Sequence, residues 1–284
     1  MKPKIQTHTL VDGRIVAQEN ELKVLKAVNL FGHLRRAEIA AAIWPTSSPR
    51  SAETMVRRTV KRLLESGDLL ERPNSLGGLS LILSPRGATK LNSEGLDADD
   101  GKNLSSVEGP QFYHRTLGTR YLIEKAISGA EVFGEYALIK GRAPVSRAHL
   151  SERFHKYPDG LAVYPGDTRA YHADYTAADW IEVESAFKAD DDYEKLIKIA
   201  WNVGNFLNAS DTCVLDRVVF VFDVRQRHEN AILSYLRRTV ASKITDASLI
   251  VLKSIILARV RIRTPLVWEG VEEVTALDAL GITS

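Results

Sequence analysis

Ser51-Ala-Glu-Thr-Met-Val-Arg-Arg-Thr-Val-Lys-Arg-Leu-Leu-Glu-Ser-Gly67, running on through Asp68-Leu-Leu-Glu-Arg72, Pro73-Asn-Ser-Leu-Gly-Gly78 and Leu79-Ser-Leu-Ile-Leu83, decides the fold of the first third of the chain. Met55, Thr59, Arg62 and Leu63 fall on neighbouring turns of one helix, and Gly67 stands where such a helix ends. Two short apolar runs separated by a turn of Pro, Asn and Gly then read as a β-hairpin. Outward from this stretch, Glu19 to Phe31 places Leu22, Leu25, Val28 and Leu30 as a first helix. Arg36 to Trp44 follows as a second, with Ile39, Ala40 and Ile43 inward, and Pro45 stops it.

Charge is divided unevenly. Residues 1–92 hold 15 Lys and Arg against 8 Asp and Glu, whereas residues 93–284 hold 23 against 28, a split that the net charge of +2 conceals. Only the first module is therefore expected to meet a polyanion over a broad face. Arg50, Arg57, Arg58, Lys61 and Arg62 crowd the third helix, where Arg58 and Arg62 share one row and Arg57 and Lys61 the adjacent one. Arg72 and Arg86 flank the hairpin. Such rows can neutralise phosphates, and one or two arginines can reach guanine edges.

Three helices followed by a hairpin resemble a winged helix-turn-helix over about residues 18–92, and the phrases ESGDLLER and LSPRGATKL carry the resemblance. It implies that the third helix enters the major groove of double-stranded DNA while the wing touches its backbone. The competing reading is a winged helix used for protein pairing, its arginines a solvated face.

The remainder is expected to be a separate domain. Residues 93–110 lack periodicity and are rich in small and acidic residues, which divides the chain into 1–92, a linker at 93–110, and 111–284. Helices are expected from His114 to Ala130, from Asp192 to Leu207 (with Trp201 and Phe206 in the core) and from Glu229 to Ser242. Strands are expected at Glu131–Ile139, from Asp159, at Trp180–Glu184, at Asp216–Val224, and in the apolar run Leu249–Ile262 with a bend midway. This alternation indicates a mixed α/β sheet with covered faces. No Gly-rich phosphate loop is present. Asp190-Asp-Asp192 suits helix capping and the helix dipole.

With 44% apolar and 26% charged residues, the composition is that of an ordinary soluble protein. The longest apolar runs are far short of a membrane span. Met1-Lys-Pro-Lys-Ile-Gln has no signal-peptide core behind it, and the lone Cys213 makes no internal disulfide, so a cytoplasmic location is expected.

Three carboxylates carry the chemical question. Asp159 opens one strand, and Glu182 and Glu184 share a face of another because strand side chains repeat every two residues. On neighbouring strands they would converge, and Mg2+ or Mn2+ is the natural balance for such a group. Glu124 on the preceding helix could join Asp159 and Glu182 as a ligand. The bland reading makes Asp159-Gly160 a turn, and Glu182 and Glu184 the wet side of a half-buried strand.

The pattern resembles the restriction-endonuclease-like superfamily, in which an acidic residue on one strand and Glu-x-Lys on the next hold the metal and steady the attacking water. Asp159 and Glu182 match the acidic positions. Glu184 stands at the lysine position, and Lys188 is the nearest substitute. The winged helix together with "KYPDG" and "WIEVE" also resembles replication-relaxation and plasmid mobilisation-accessory proteins. What the resemblance implies is a cytoplasmic DNA-binding protein of a mobile element with a nuclease-like scaffold, its partner a second copy or another mobile-element protein. The alternatives are a Mg2+-dependent DNA endonuclease and a transcriptional regulator with a dimerisation or effector domain.

Overall fold

The computed structural model describes residues 12–101, 109, 111–164, 175–186, 189–263 and 267–282. The chain is mixed α/β and parts into two compact units, one of Met1–Arg72 and Leu79–Leu104, the other of Pro73–Gly78 and Ser105–Ser284. Among the described residues no helix is long and apolar enough to cross a membrane.

The smaller unit contains α1 (Gly13–Phe31), β1 (His33–Leu34), α2 (Arg36–Ile43), α3 (Pro49–Glu65), β2 (Leu69–Pro73), β3 (Leu79–Leu83) and α4 (Pro85–Ser93). Val24, Leu25 and Val28 of α1, Ile39 of α2, Val56, Val60 and Leu63 of α3, and Leu81 and Ile82 of β3 form its core. Helix α3 starts earlier than its apolar spacing indicates, because Ser48 accepts the Ser51 amide and Pro49 fits the first turn. Strand β1 was not legible in the sequence: two residues have no period. It pairs with β3, His33 opposite Ile82 and Leu34 opposite Leu81, to give the order β1-β3-β2.

Ser84 joins the hairpin to α4. Its hydroxyl accepts the Gly87 amide at 3.0 Å and donates to the Gly67 carbonyl at 2.6 Å. A Cβ on Gly87 would lie 2.1 Å from the Asp68 carbonyl oxygen, a backbone atom that cannot swing aside. Gly87→Ala should therefore cost at least the ~1–3 kcal/mol typical of overpacking. A lowered thermal unfolding midpoint is the expected result, and an unchanged one would show that the turn relaxes freely.

The larger unit is built on a six-stranded sheet of order β4-β5-β6-β7-β8-β9: Glu131–Gly134, Gly160–Tyr164, Thr176–Glu184, Cys213–Asp223, Ile255–Arg263 and Val267–Thr275. The pairs β6–β7 and β7–β8 are parallel, and the outer pairs are antiparallel. Val218 to Phe222 of β7 are wholly buried, as a central strand covered on both faces requires. Helix α5 (Phe112–Ile127) packs close to the sheet: a Cβ on Gly118 would touch the Val183 side chain, and one on Gly160 would sit 2.8 Å from Leu122. The remaining helices are α6 (Glu135–Ile139), α7 (Arg147–Phe154), α8 (Asp190–Ala200), α9 (His228–Arg238), α10 (Asp246–Ser254) and α11 (Ala276–Leu280).

Several expectations change. The strand from Glu131 stops at Gly134, and Glu135–Ile139 is a helical turn with Glu135 favourably at its amino end. The run Leu249–Ile262 is half helix. Thr245 and Ser248 form a capping box that starts α10, and the strand begins only at Ile255. Helix α8 ends at Ala200, short of Leu207, where Gly204 takes a left-handed φ of 86°. Trp201, expected in the core, is 46% exposed just beyond its end. Asp190, Asp191 and Asp192 do lie in the first turn of α8, yet Ala189 is the cap residue and no side chain caps it. Cys213 is buried, and burial pushes its thiol pKa up.

Candidate functional site

The carboxylates of interest lie where β5 begins and β6 ends. The Asp159 amide donates to the Ile181 carbonyl at 3.0 Å, which extends the ladder one residue beyond Gly160. Asp159 Oδ2 accepts the Val183 amide at 2.8 Å, and Oδ1 lies 3.0 Å from His114 Nε2 on α5. His114 Nδ1 in turn is 3.0 Å from the Ser185 hydroxyl. Glu182 turns to other partners. Its Oε1 accepts from Trp180 Nε1 at 2.8 Å, and its Oε2 lies 3.0 Å from Lys156 Nζ.

Helix α7 delivers that lysine. Leu150 is buried, and Phe154 packs edge-on against Trp180 with ring centroids 5.6 Å apart. His155 then adopts a left-handed φ of 53° and turns the chain, so that Lys156 reaches Glu182 and Asp159 enters the sheet. Glu182 and Glu184 are 1% and 0% exposed, so they are not the wet side of a strand.

A second polar group sits at the carboxyl end of β7. Glu184 pairs in register with Phe222, next to Asp223. Asp223 accepts from the Tyr113 hydroxyl at 2.8 Å and from the Arg225 amide at 3.0 Å, with the Arg225 guanidinium clamped on it. Burial, and then the neighbouring Asp223 carboxylate, push the Tyr113 phenol up to about 12 from an ordinary 10.0. For Asp223, burial opposes ionisation, but the Arg225 and Tyr113 hydrogen bonds outweigh it and hold its pKa below the usual value. A raised phenol pKa means that the neutral form is favoured in the fold. Its stabilisation is complete below pH 10 and is lost as the pH rises towards about 12. Tyr113→Phe should remove that part of the alkaline loss in denaturation midpoints followed across this range. Identical alkaline profiles for the two proteins would contradict the assignment.

A hard divalent cation is held by carboxylate oxygens, which can accept hydrogen bonds at the same time. All four side-chain oxygens of Asp159 and Glu182 have donors within 3.0 Å, one of them an ammonium. Among the described residues no group of three or more His, Cys, Asp or Glu could hold a metal. Protein donors therefore already engage the oxygens of Asp159 and Glu182 that the sequence assigns to Mg2+ or Mn2+. Glu124 pairs with Arg120 at 2.7 Å, ten residues along α5 from His114, or about 15 Å at 1.5 Å per residue. Lys188 lies outside the described residues. Lys156, His114, Ser185 and Tyr113 were missed from the sequence. Lys156 carried one signal, its place three residues before Asp159; the others come from distant segments and carried none.

In the smaller unit the basic residues separate into two kinds. At about 100° per residue, Arg50, Arg57 and Lys61 fall on one line of α3, with Thr54 beside them and Arg58 on the flank. Arg50, Arg57, Arg58 and Lys61 are exposed, and the buried Ala52, Val56, Thr59, Val60 and Leu63 face the other way. Arg62 leaves this face: its Nε is 2.6 Å from Glu21 on α1, which ties the two helices together. Arg86 lies 3.1 Å from Asp68, and Arg72 is half-buried in β2. The sequence rows Arg58–Arg62 and Arg57–Lys61 thus become one outward face centred on Arg50, Arg57 and Lys61.

No protein-family model, no curated protein and no solved structure gives a significant match to the chain.

Proposed function

We propose that the chain is a double-stranded-DNA-binding protein acting on the DNA of a mobile element, in replication, mobilisation or regulation. The smaller unit is its winged helix-turn-helix, and the larger unit is a restriction-endonuclease-like domain serving as a scaffold. One observation carries the reading: the outward face of α3 sets Arg50, Arg57, Arg58 and Lys61 opposite its buried face. Cations so arranged can span successive phosphates, and an arginine can reach a base edge. The order β1-β3-β2 beside three helices supports the winged-helix reading.

The scaffold half rests on the filled oxygens of Asp159 and Glu182. The endonuclease alternative draws on one feature, the Lys156 ammonium beside Glu182, which supplies a basic group that position 184 lacks. The test pairs binding with cleavage. The full chain should bind labelled duplex with an affinity that falls steeply as salt rises, and should leave the duplex intact when Mg2+ or Mn2+ is added. Absence of salt-sensitive binding would defeat the DNA-binding reading, while metal-dependent cutting would replace the scaffold with the endonuclease.

A further inference from the structure

The larger unit is acidic as a whole, but residues 140–156 run against it. This stretch holds Lys140, Arg142, Arg147, Arg153 and Lys156, with Glu152 its one acid, in a segment whose surrounding domain has more Asp and Glu than Lys and Arg. The cations lie on α7 and its two flanks, Lys140 and Arg153 exposed and the others partly so. Aromatic rings position them. The Arg147 guanidinium lies 3.9 Å from the Tyr157 ring centre, Arg153 lies 4.9 Å from Phe154, and Lys140 and Arg142 lie 5.8 and 5.5 Å from Tyr136. A guanidinium seated on a ring keeps its charge and loses little further entropy when it binds a phosphate. Arg153 also donates to the Phe206 carbonyl, a neutral acceptor that leaves its charge intact. The inner side of this helix is packed, with Leu150 buried and Phe154 against Trp180.

We infer that α7 and its flanks, residues 140–153, form a second nucleic-acid contact in the larger unit, binding the phosphate backbone of duplex DNA without reading its sequence. The inference rests on the DNA-binding reading for its choice of polyanion, but not on α3. Pre-ordered guanidiniums suit the bidentate geometry of phosphates. Lys156 is excluded from the contact, since its ammonium serves Glu182.

The test uses the full chain and a short mixed-sequence duplex, with anisotropy followed over a range of salt. Lys140→Gln combined with Arg147→Gln and Arg153→Gln should weaken binding at least tenfold. The slope of log affinity against log salt should fall by about 2–3, near 0.9 for each phosphate that is no longer neutralised. Arg147→Lys with Arg153→Lys keeps the charge and should retain most of the slope, which a merely structural role would not predict. An unchanged slope in the glutamine variant, or equal loss in the lysine variant, would overturn the inference. So would tighter capture of polyglutamate or duplex RNA than of DNA, because either would assign the surface to a different partner. The α3 variant Arg50→Ala, Arg57→Ala, Lys61→Ala separates the two claims. If it leaves binding intact while the α7 variant removes it, the α3 reading fails and the α7 contact stands.

Discussion

Arg50→Ala, Arg57→Ala and Lys61→Ala together should weaken duplex binding on the order of a hundredfold at moderate salt and lower the salt slope by about 3. These three lie on one outward line of α3, whose opposite face holds Val56, Val60 and Leu63 in the core. Their loss therefore changes the surface charge while leaving the packing untouched. Arg62→Ala belongs to a different class. Because its guanidinium bridges to Glu21 on α1, the expected effect falls mainly on stability, with little change in the salt slope. Equal binding losses from Arg62→Ala and from the outward set would show that the faces of α3 are wrongly assigned.

The second large effect concerns the buried ion pair of the larger unit. Lys156→Met leaves the Glu182 carboxylate, 1% exposed, with the Trp180 N–H but without its ammonium. Breaking a buried pair from one side costs about 3–5 kcal/mol. With the lysine side chain 28% exposed, the loss should lie near the lower end of that range. Lys156→Met combined with Glu182→Gln should recover much of it, because no buried charge is then stranded. Urea denaturation of the two single variants and the double variant measures the coupling directly. Additive losses would mean that Lys156 and Glu182 do not depend on one another.

Much of this architecture was legible in the sequence, and the reasons for the remainder are specific. Helices α1 to α3 and the hairpin announced themselves through apolar spacing, Pro45 and the Pro73–Gly78 turn. Strand β7 showed as an apolar run. Strand β1 did not show, because two residues carry no period, and its existence depends on β3 lying alongside. Helix α10 hid inside an apolar run that reads equally well as strand; Thr245 with Ser248 settled the matter through a local cap. At the candidate site, the motif put Asp159 and Glu182 on two strands, and the β5–β6 pairing makes those strands neighbours. Their partners could not be. His114 and Ser185 are separated by 71 residues, and Tyr113 and Asp223 by 110, so only the fold brings them together. Lys156 stands just before Asp159, whereas the Glu-x-Lys pattern directs attention to a base after Glu182, towards Lys188. The charge split likewise concealed the basic segment at 140–156, because a sum over a whole domain averages out a short run of one sign.

Hydrogen–deuterium exchange of the full chain, with and without saturating duplex, reads the DNA contact of α3 peptide by peptide. Peptides covering Arg50 to Lys61 should slow their exchange when DNA binds, while peptides of the buried β7 strand should not change. Tight DNA binding with no added protection anywhere in Pro49–Glu65 would contradict that contact.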